Sequence, residues 1–348
     1  MDFYINNRSL RKKTSPDEAL SRRNFLKKSL TGAVAFAVGA AGIPSCTRGI
    51  PRLKRPYRTD YNTIAHKMLD LELVHGQDPA AYRQLEDLLR IAAHILGEDS
   101  ADEAPREVAI HYLNTIDRII KFQGFEYQTN SLLSTALITK KIDCDGYSAI
   151  YLAVGELLGL PIQMVRAPAH TFVRWHFPNG TYINWETTIG ATKSDKYYIT
   201  KHKIPKNARG KTSLRSMDVK ADRKKILANT YVNCGVEWLK KLHYREALES
   251  FDRAIAGDPW YEAPYYNKGL VYFHMGNMDK AVEWCEKSVR LNPNHMKSHA
   301  VLGTAYKELN KSRKARLHFR RVRELDPEYY AVKVMEMQLS KTEQPNRI

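Results

Sequence analysis

The chain has 348 residues, which suits two domains of ordinary size and is too long for one typical domain. Apolar residues make up 43% of it, which excludes a chain that is disordered throughout. The formal net charge of +17 points toward anionic surroundings such as phosphate, lipid headgroups or acidic polymer.

Near the start, Ser21-Arg22-Arg23-Asn24-Phe25-Leu26-Lys27 precedes an Ala- and Gly-rich apolar run from Leu30 to Ala41. That run is shorter than the about 20 residues a permanent membrane helix needs. A charged leader before a short, weakly apolar segment has the build of a signal peptide. The leader resembles the bacterial twin-arginine export pattern, which implies delivery to the periplasm or cell envelope and argues against nucleic acid as a partner. Ile43-Pro44-Ser45-Cys46 resembles a lipobox, which implies lipid on Cys46 and a membrane anchor, with ordinary cleavage after Ala40 as the alternative. Residues 1–45 are then a signal peptide and 46–59 a tether.

Residues 60–140 read as helices. Ile64, Met68, Leu71 and Val74 mark one apolar face, Leu85, Leu88, Leu89, Ala92, Ile95 and Leu96 a second, and Val108, Tyr112, Ile116, Ile119 and Ile120 a third. His66, His75, His94 and His111 are scattered over them without metal-ligand spacing, so neither metal nor cofactor is expected.

The stretch from Lys141 to Glu186 carries the chemistry. Ile150, Ala153, Val154, Leu157 and Leu158 recur at helical spacing, and Gly159-Leu160-Pro161 stops the helix. Cys144 stands at its first turn, where free N–H groups and the helix dipole favour an anion, so its thiol pKa is expected below the free value of about 8.5. Val165–Ala167 reads as a short strand, and His170–Phe177 with Thr181–Glu186 reads as a hairpin turning at Pro178-Asn179-Gly180.

A thiol at a helix start, a His opening a strand and a polar side chain on the next strand can serve as nucleophile, base and orienter. Strand parity puts Asn184 and Glu186 on one face and Trp185 on the other, so both are candidates. A two-residue Asn179-Gly180 loop would place Ile189 opposite His170 and leave Glu186 nearer than Asn184. Glu186 is therefore the expected orienter and Asn184 the alternative.

At Cys144-Asp145-Gly146-Tyr147, His170-Thr171-Phe172-Val173 and Trp185-Glu186-Thr187-Thr188 the chain resembles the transglutaminase-like branch of the papain-like thiol superfamily. Asn130-Ser131-Leu132-Leu133-Ser134 resembles the approach to that core in bacterial members. The resemblance spans residues 60–200 and implies an α+β domain. It also implies a cysteine-dependent enzyme that cleaves or transfers at amide or ester carbonyls, with Cys144, His170 and Glu186 as its catalytic residues. Glu186 departs from the family's Asp by one methylene. The superfamily also contains catalytically silent domains, which leaves a scaffold that recruits envelope partners as the alternative function.

Between 190 and 225 twelve lysines and arginines face three acids, and residues 201–225 read as a basic linker. Lys201, Lys203 and Lys206 are the candidate contacts for an anionic envelope polymer. From Ala228 a 34-residue step appears in Gly235, Gly269 and Gly303, in Ala247, Ala281 and Ala315, and in Pro259, Pro293 and Pro327. This resembles tetratricopeptide repeats, an all-α solenoid whose concave face binds protein or peptide. Three repeats and a capping helix are expected over 226–341. Cys234 and Cys285 fall at packing positions and read as buried thiols.

Overall fold

The computed structural model describes residues 62–76, 79–97, 106–129, 132–204 and 214–330. The expected signal peptide, the Cys46 lipidation site and the tether lie outside the described residues, as do Lys206 and nearly all of the capping helix beyond Tyr330.

Helices α1 (Ile64–Glu72), α2 (Ala80–Leu96) and α3 (Arg106–Phe122) come first, then the short strand β1 (Glu126–Tyr127), α4 (Leu133–Thr139) and β2 (Lys141–Ile142), which pairs with β1. The first helix stops earlier than its apolar spacing implied. A 3-10 turn over Leu73–His75 turns Val74 outward, where it is 61% exposed. Glu72 is the cause of this arrangement: its buried carboxylate accepts the N–H groups of Leu133 and Ser134 at 2.9 and 2.8 Å, closing the otherwise unpaired N-terminus of α4.

Helix α5 (Cys144–Leu158) is the central helix, ended by Gly159 in the left-handed conformation. It lies against an antiparallel sheet ordered β6-β5-β4-β3-β7, formed by β3 (Ile162–Ala167), β4 (His170–His176), β5 (Tyr182–Glu186), β6 (Ala191–Thr192) and β7 (Arg215–Met217). Met164, Val173, Trp175, Ile183 and Trp185 point from the sheet into the main core with α5. The other face carries Val165, Ala167 and Phe172 against Tyr198 of α6 (Asp195–Lys201), a second and smaller core.

Two expectations are corrected by this sheet. Tyr182 stands opposite His176 and Trp185 opposite Val173, so the β4–β5 loop has three residues, Pro178 to Gly180, and the register is one residue away from the two-residue reading. Gly180 at φ 80° closes the loop, and the Phe177 N–H donates to Thr181 O at 2.9 Å. That single step sets Thr188, in place of Ile189, in line with His170 and turns Glu186 onto the face His170 occupies. The interval 201–225 is likewise more than a solvated linker. Its residues Arg215–Met217 pair with β3 as an edge of the sheet, and Met217 and Val219 are buried in the main core.

The C-terminal half is built of antiparallel helix pairs, α7 (Arg223–Lys240) with α8 (Tyr244–Gly257), α9 (Glu262–His274) with α10 (Met278–Leu291) and α11 (Met296–Glu308) with α12 (Ser312–Leu325). Gly235 faces Phe251, Gly269 faces Cys285 and Gly303 faces Phe319, the same close approach three times over. Cys234 and Cys285 are buried free thiols. The described residues all fall within one compact unit, because α1 packs on α7 and Ile226 enters the main core.

Candidate functional site

Strand β4 starts at His170, immediately after a tight Pro168-Ala169 turn in which Ala169 has φ 56°. The His170 Nε2 lies 2.7 Å from Oε2 of Glu186, which solvent does not reach. The other Glu186 oxygen accepts the Thr188 hydroxyl at 2.6 Å and the Thr188 N–H at 3.3 Å. Burial acts to raise this carboxyl, but the hydrogen bond and charge of His170, followed by Thr188, outweigh it and hold Glu186 below the ordinary carboxylate value. A carboxylate can only accept. In the neutral ring Nε2 therefore carries the hydrogen, and Nδ1 is the basic nitrogen.

Asn184 shares this face but is engaged elsewhere. Its Oδ1 accepts Arg174 Nε at 2.7 Å and its Nδ2 donates to Asp195 Oδ1 at 2.6 Å, so it ties β4, β5 and α6 together and does not touch the imidazole.

Cys144 opens α5 and is half-buried. The expected fall in its thiol pKa is not what its surroundings produce. Burial pushes the thiol well above its ordinary value, the Asp145 and Asp143 carboxylates push the same way, and Thr171 opposes only in part. The helix start is already occupied: Asp143 caps it by accepting the Gly146 N–H at 2.9 Å, so the dipole is offset by carboxylates before it reaches the sulfur. The Thr171 hydroxyl donates to Asp145 Oδ1 at 2.7 Å, and both the Thr171 N–H and its side chain act on the sulfur. Strand alternation points Thr171 toward α5 and His170 toward α6. The sulfur and the imidazole thus meet β4 at adjacent residues, and among the described residues no hydrogen bond joins them.

Several neighbours of the site escaped sequence reasoning. Thr188 carried a weak signal, a hydroxyl two residues after Glu186. Tyr198 and His202, which stack over Phe172 and His170, carried none, since α6 reached the site only through the fold.

The repeats meet this domain along their turns. Asp258, between α8 and α9, accepts from Arg166 of β3 at 2.6 Å and from Arg215 of β7 at 3.0 Å, and the Arg166 guanidinium lies 4.1 Å from the Tyr261 ring centre. One turn later in the series, Asn294 donates to the Lys203 carbonyl at 2.9 Å. At the end of α12 the Lys203 ammonium donates to the Leu325 carbonyl, so Lys203 caps a helix and is not a free cation.

Residues 263–295 match the family model for the tetratricopeptide repeat. The C-terminal half is a tetratricopeptide-repeat solenoid. The tetratricopeptide region is similar to the TPR repeat-containing thioredoxin TTL4 of Arabidopsis thaliana, 33% identical over 79 residues, or 23% of this chain and 12% of that one. It is also similar to the small glutamine-rich tetratricopeptide repeat-containing protein of Dictyostelium discoideum, 29% identical over 92 residues, 26% of this chain and 28% of the other. The chain thus spans less than a third of the length of these relatives. Among solved structures, the second TPR of Spaghetti (RPAP3) bound to the HSP90 peptide SRMEEVD is 26% identical with a TM-score of 0.30, covering 31% of this chain and 99% of that one. MamA is 29% identical with a TM-score of 0.28, covering 29% and 60%.

Proposed function

We propose that residues 60–200 act as a transglutaminase-like thiol enzyme, and that the tetratricopeptide repeats bind the protein or peptide it works with. The observation that carries this reading is the buried His170–Glu186 hydrogen bond on a strand whose next residue meets the Cys144 thiol. With the thiol raised by its surroundings, the sulfur rests as the neutral thiol. Attack of the sulfur on an amide or ester carbonyl requires its proton to pass to His170 Nδ1, from the α5 face of β4 to the α6 face, and Glu186 stabilises the imidazolium that forms. Of the N–H groups at the start of α5, those other than Gly146, which Asp143 caps, would serve the developing oxyanion. Collapse breaks the carbonyl–leaving-group bond, His170 returns its proton to the departing amine or alcohol, and a Cys144 thioester remains. Water or an amine, deprotonated by His170, takes the acyl group and restores the thiol. Export by the twin-arginine route, lipid on Cys46 and contact of Lys201 with an anionic envelope polymer complete the proposal.

The test is intact-mass detection of a Cys144 acyl adduct after mixing with an activated acyl ester such as p-nitrophenyl acetate. The adduct is expected in the parent protein, absent in Cys144→Ala and slower by at least about a hundredfold in His170→Ala. Equal acylation rates with and without His170 overturn the enzyme reading. A second reading, a silent platform that recruits partners through its repeats, is favoured by the burial and, after it, the two carboxylates that hold the thiol neutral, and it predicts that no adduct forms at all.

A further inference from the structure

His202 follows α6 and stacks its ring on that of His170, with centroids 4.6 Å apart and planes 8° from parallel. The His202 ring is half-buried, and among the described residues its Nε2 is a buried nitrogen without a hydrogen-bond partner. Below them Tyr198, wholly buried, stacks on Phe172 at 3.6 Å, and the His170 ring lies 6.1 Å from it at 23°. The imidazole is therefore one layer of an aromatic stack. The Glu186 carboxylate approaches it edge-on, in the one direction that stacking leaves to a hydrogen bond.

We infer that His202 is a positioning residue, a neutral aromatic plate that fixes the plane of the His170 ring and shields its Nε2–H···Glu186 bond from water. Two imidazoles at this spacing cannot share two positive charges without strong repulsion. Glu186 of β5 contacts His170 directly and acts on His202 only as its weakest influence, behind Lys201 of the segment His202 belongs to. The other ionisable groups that feel Glu186 are Tyr198 from α6 and, more distantly, Tyr127 from β1. Burial, followed by His170 and Lys201, pushes His202 down to about 4, so at neutral pH it contributes ring surface and no charge. The inference deepens the catalytic reading of His170, yet its geometry exists whether or not that reading holds.

Proton NMR of the folded full chain tests it through the His170 Nε2–H resonance, assigned by its loss in His170→Ala. The parent and His202→Phe, which keeps the plate, are expected to show a slowly exchanging downfield proton. In His202→Ala that proton should exchange at least about tenfold faster or broaden away. Unchanged exchange in His202→Ala, or loss of the resonance in His202→Phe with the fold intact by circular dichroism, overturns the inference. If His202→Ala frees the proton while the Cys144 acylation rate stays level, the plate stands and the enzyme reading falls.

Discussion

Arg166 and Asp258 form an ion pair at 2.6 Å in which the arginine is 3% exposed and the aspartate not at all. One comes from β3, next to the β7 edge of the sheet, and the other from the turn between the first two helix pairs, so the pair joins the sheet to the solenoid. Removing one partner of a buried pair leaves an uncompensated charge, at a cost of about 3–5 kcal/mol. Asp258→Asn should therefore destabilise by an amount in that range, because it abandons Arg166 and Arg215 together. Arg215→Ala should cost less, since its side chain is 32% exposed and Arg166 keeps its partner. Urea denaturation of both variants orders the two effects. A cost below that of Arg215→Ala for Asp258→Asn would remove the pair from its linking role.

Glu186 and Glu72 should shift acid stability in opposite directions. Glu186 is held below its ordinary 4.5, so its contribution is full above pH 4.5 and is lost as pH falls from there through the lower folded value. Glu72 is raised, with burial outweighing the Ser134 and Leu133 hydrogen bonds. The folded state then binds its proton more tightly than the unfolded chain, and stability from this group grows as pH falls through its raised value toward 4.5. Thermal melts from pH 7 downward should show Glu186→Gln losing the acid-side fall that the parent has, and Glu72→Gln losing an acid-side gain. Parallel curves for all three proteins contradict both assignments.

How much of this was legible in the sequence follows from the range of the forces involved. The repeats repeat their contacts, so Gly235, Gly269 and Gly303 announced themselves by spacing alone, and their partners Phe251, Cys285 and Phe319 were readable as equivalent positions. The helix over Cys144 and the hairpin after it were readable because periodicity and turn residues are local signals. The thiol's environment was not. Whether a helix start favours an anion depends on what already sits there, and Asp143 and Asp145, visible as neighbours in sequence, reverse the expectation only once the sulfur is buried beside them. Strand β7 was hidden for another reason. It is three residues long and lies within a basic interval, and only its pairing with Met164–Arg166 makes it a strand.

The repeat glycines should differ in their tolerance of alanine. At Gly235 and Gly303 the three atoms nearest the added methyl are ring atoms of Phe251 or Phe319, and a ring can tilt. At Gly269 it meets the Cys285 sulfur with the Ala281 carbonyl at 3.1 Å and the Cys285 N at 3.2 Å behind it, and backbone does not yield. Overpacking of this kind costs about 1–3 kcal/mol, and Gly269→Ala should fall at the upper end. Melting temperatures of the three single variants provide the ranking. Gly269→Ala as the mildest of them contradicts the packing argument.

The three-residue loop at Pro178-Asn179-Gly180 decides whether Glu186 can reach His170 at all. Deleting Asn179 forces a choice: a two-residue Pro178-Gly180 loop would keep the register, but Pro178 cannot take the positive φ that tight hairpin turns need, so a three-residue loop is kept by slipping the strands one residue, which sets Ile189 in line with His170. Side chains alternate along β5, so that slip would carry Glu186 into the α5 face and bring Trp185 out of it. Trp185 donates its Nε1–H to the Tyr151 hydroxyl at 2.8 Å inside the main core, and this bond resists the slip. The deletion variant should therefore be strongly destabilised, lose the slowly exchanging His170 Nε2–H, or both. Gly180→Ala is the matched control: nothing lies within 4 Å of the added methyl, so only the left-handed backbone is penalised, at about 1 kcal/mol, with the His170–Glu186 bond kept. A deletion variant that melts with the parent and keeps the downfield proton would show that the register, and with it the placement of Glu186, is held by the sheet alone and owes nothing to the loop.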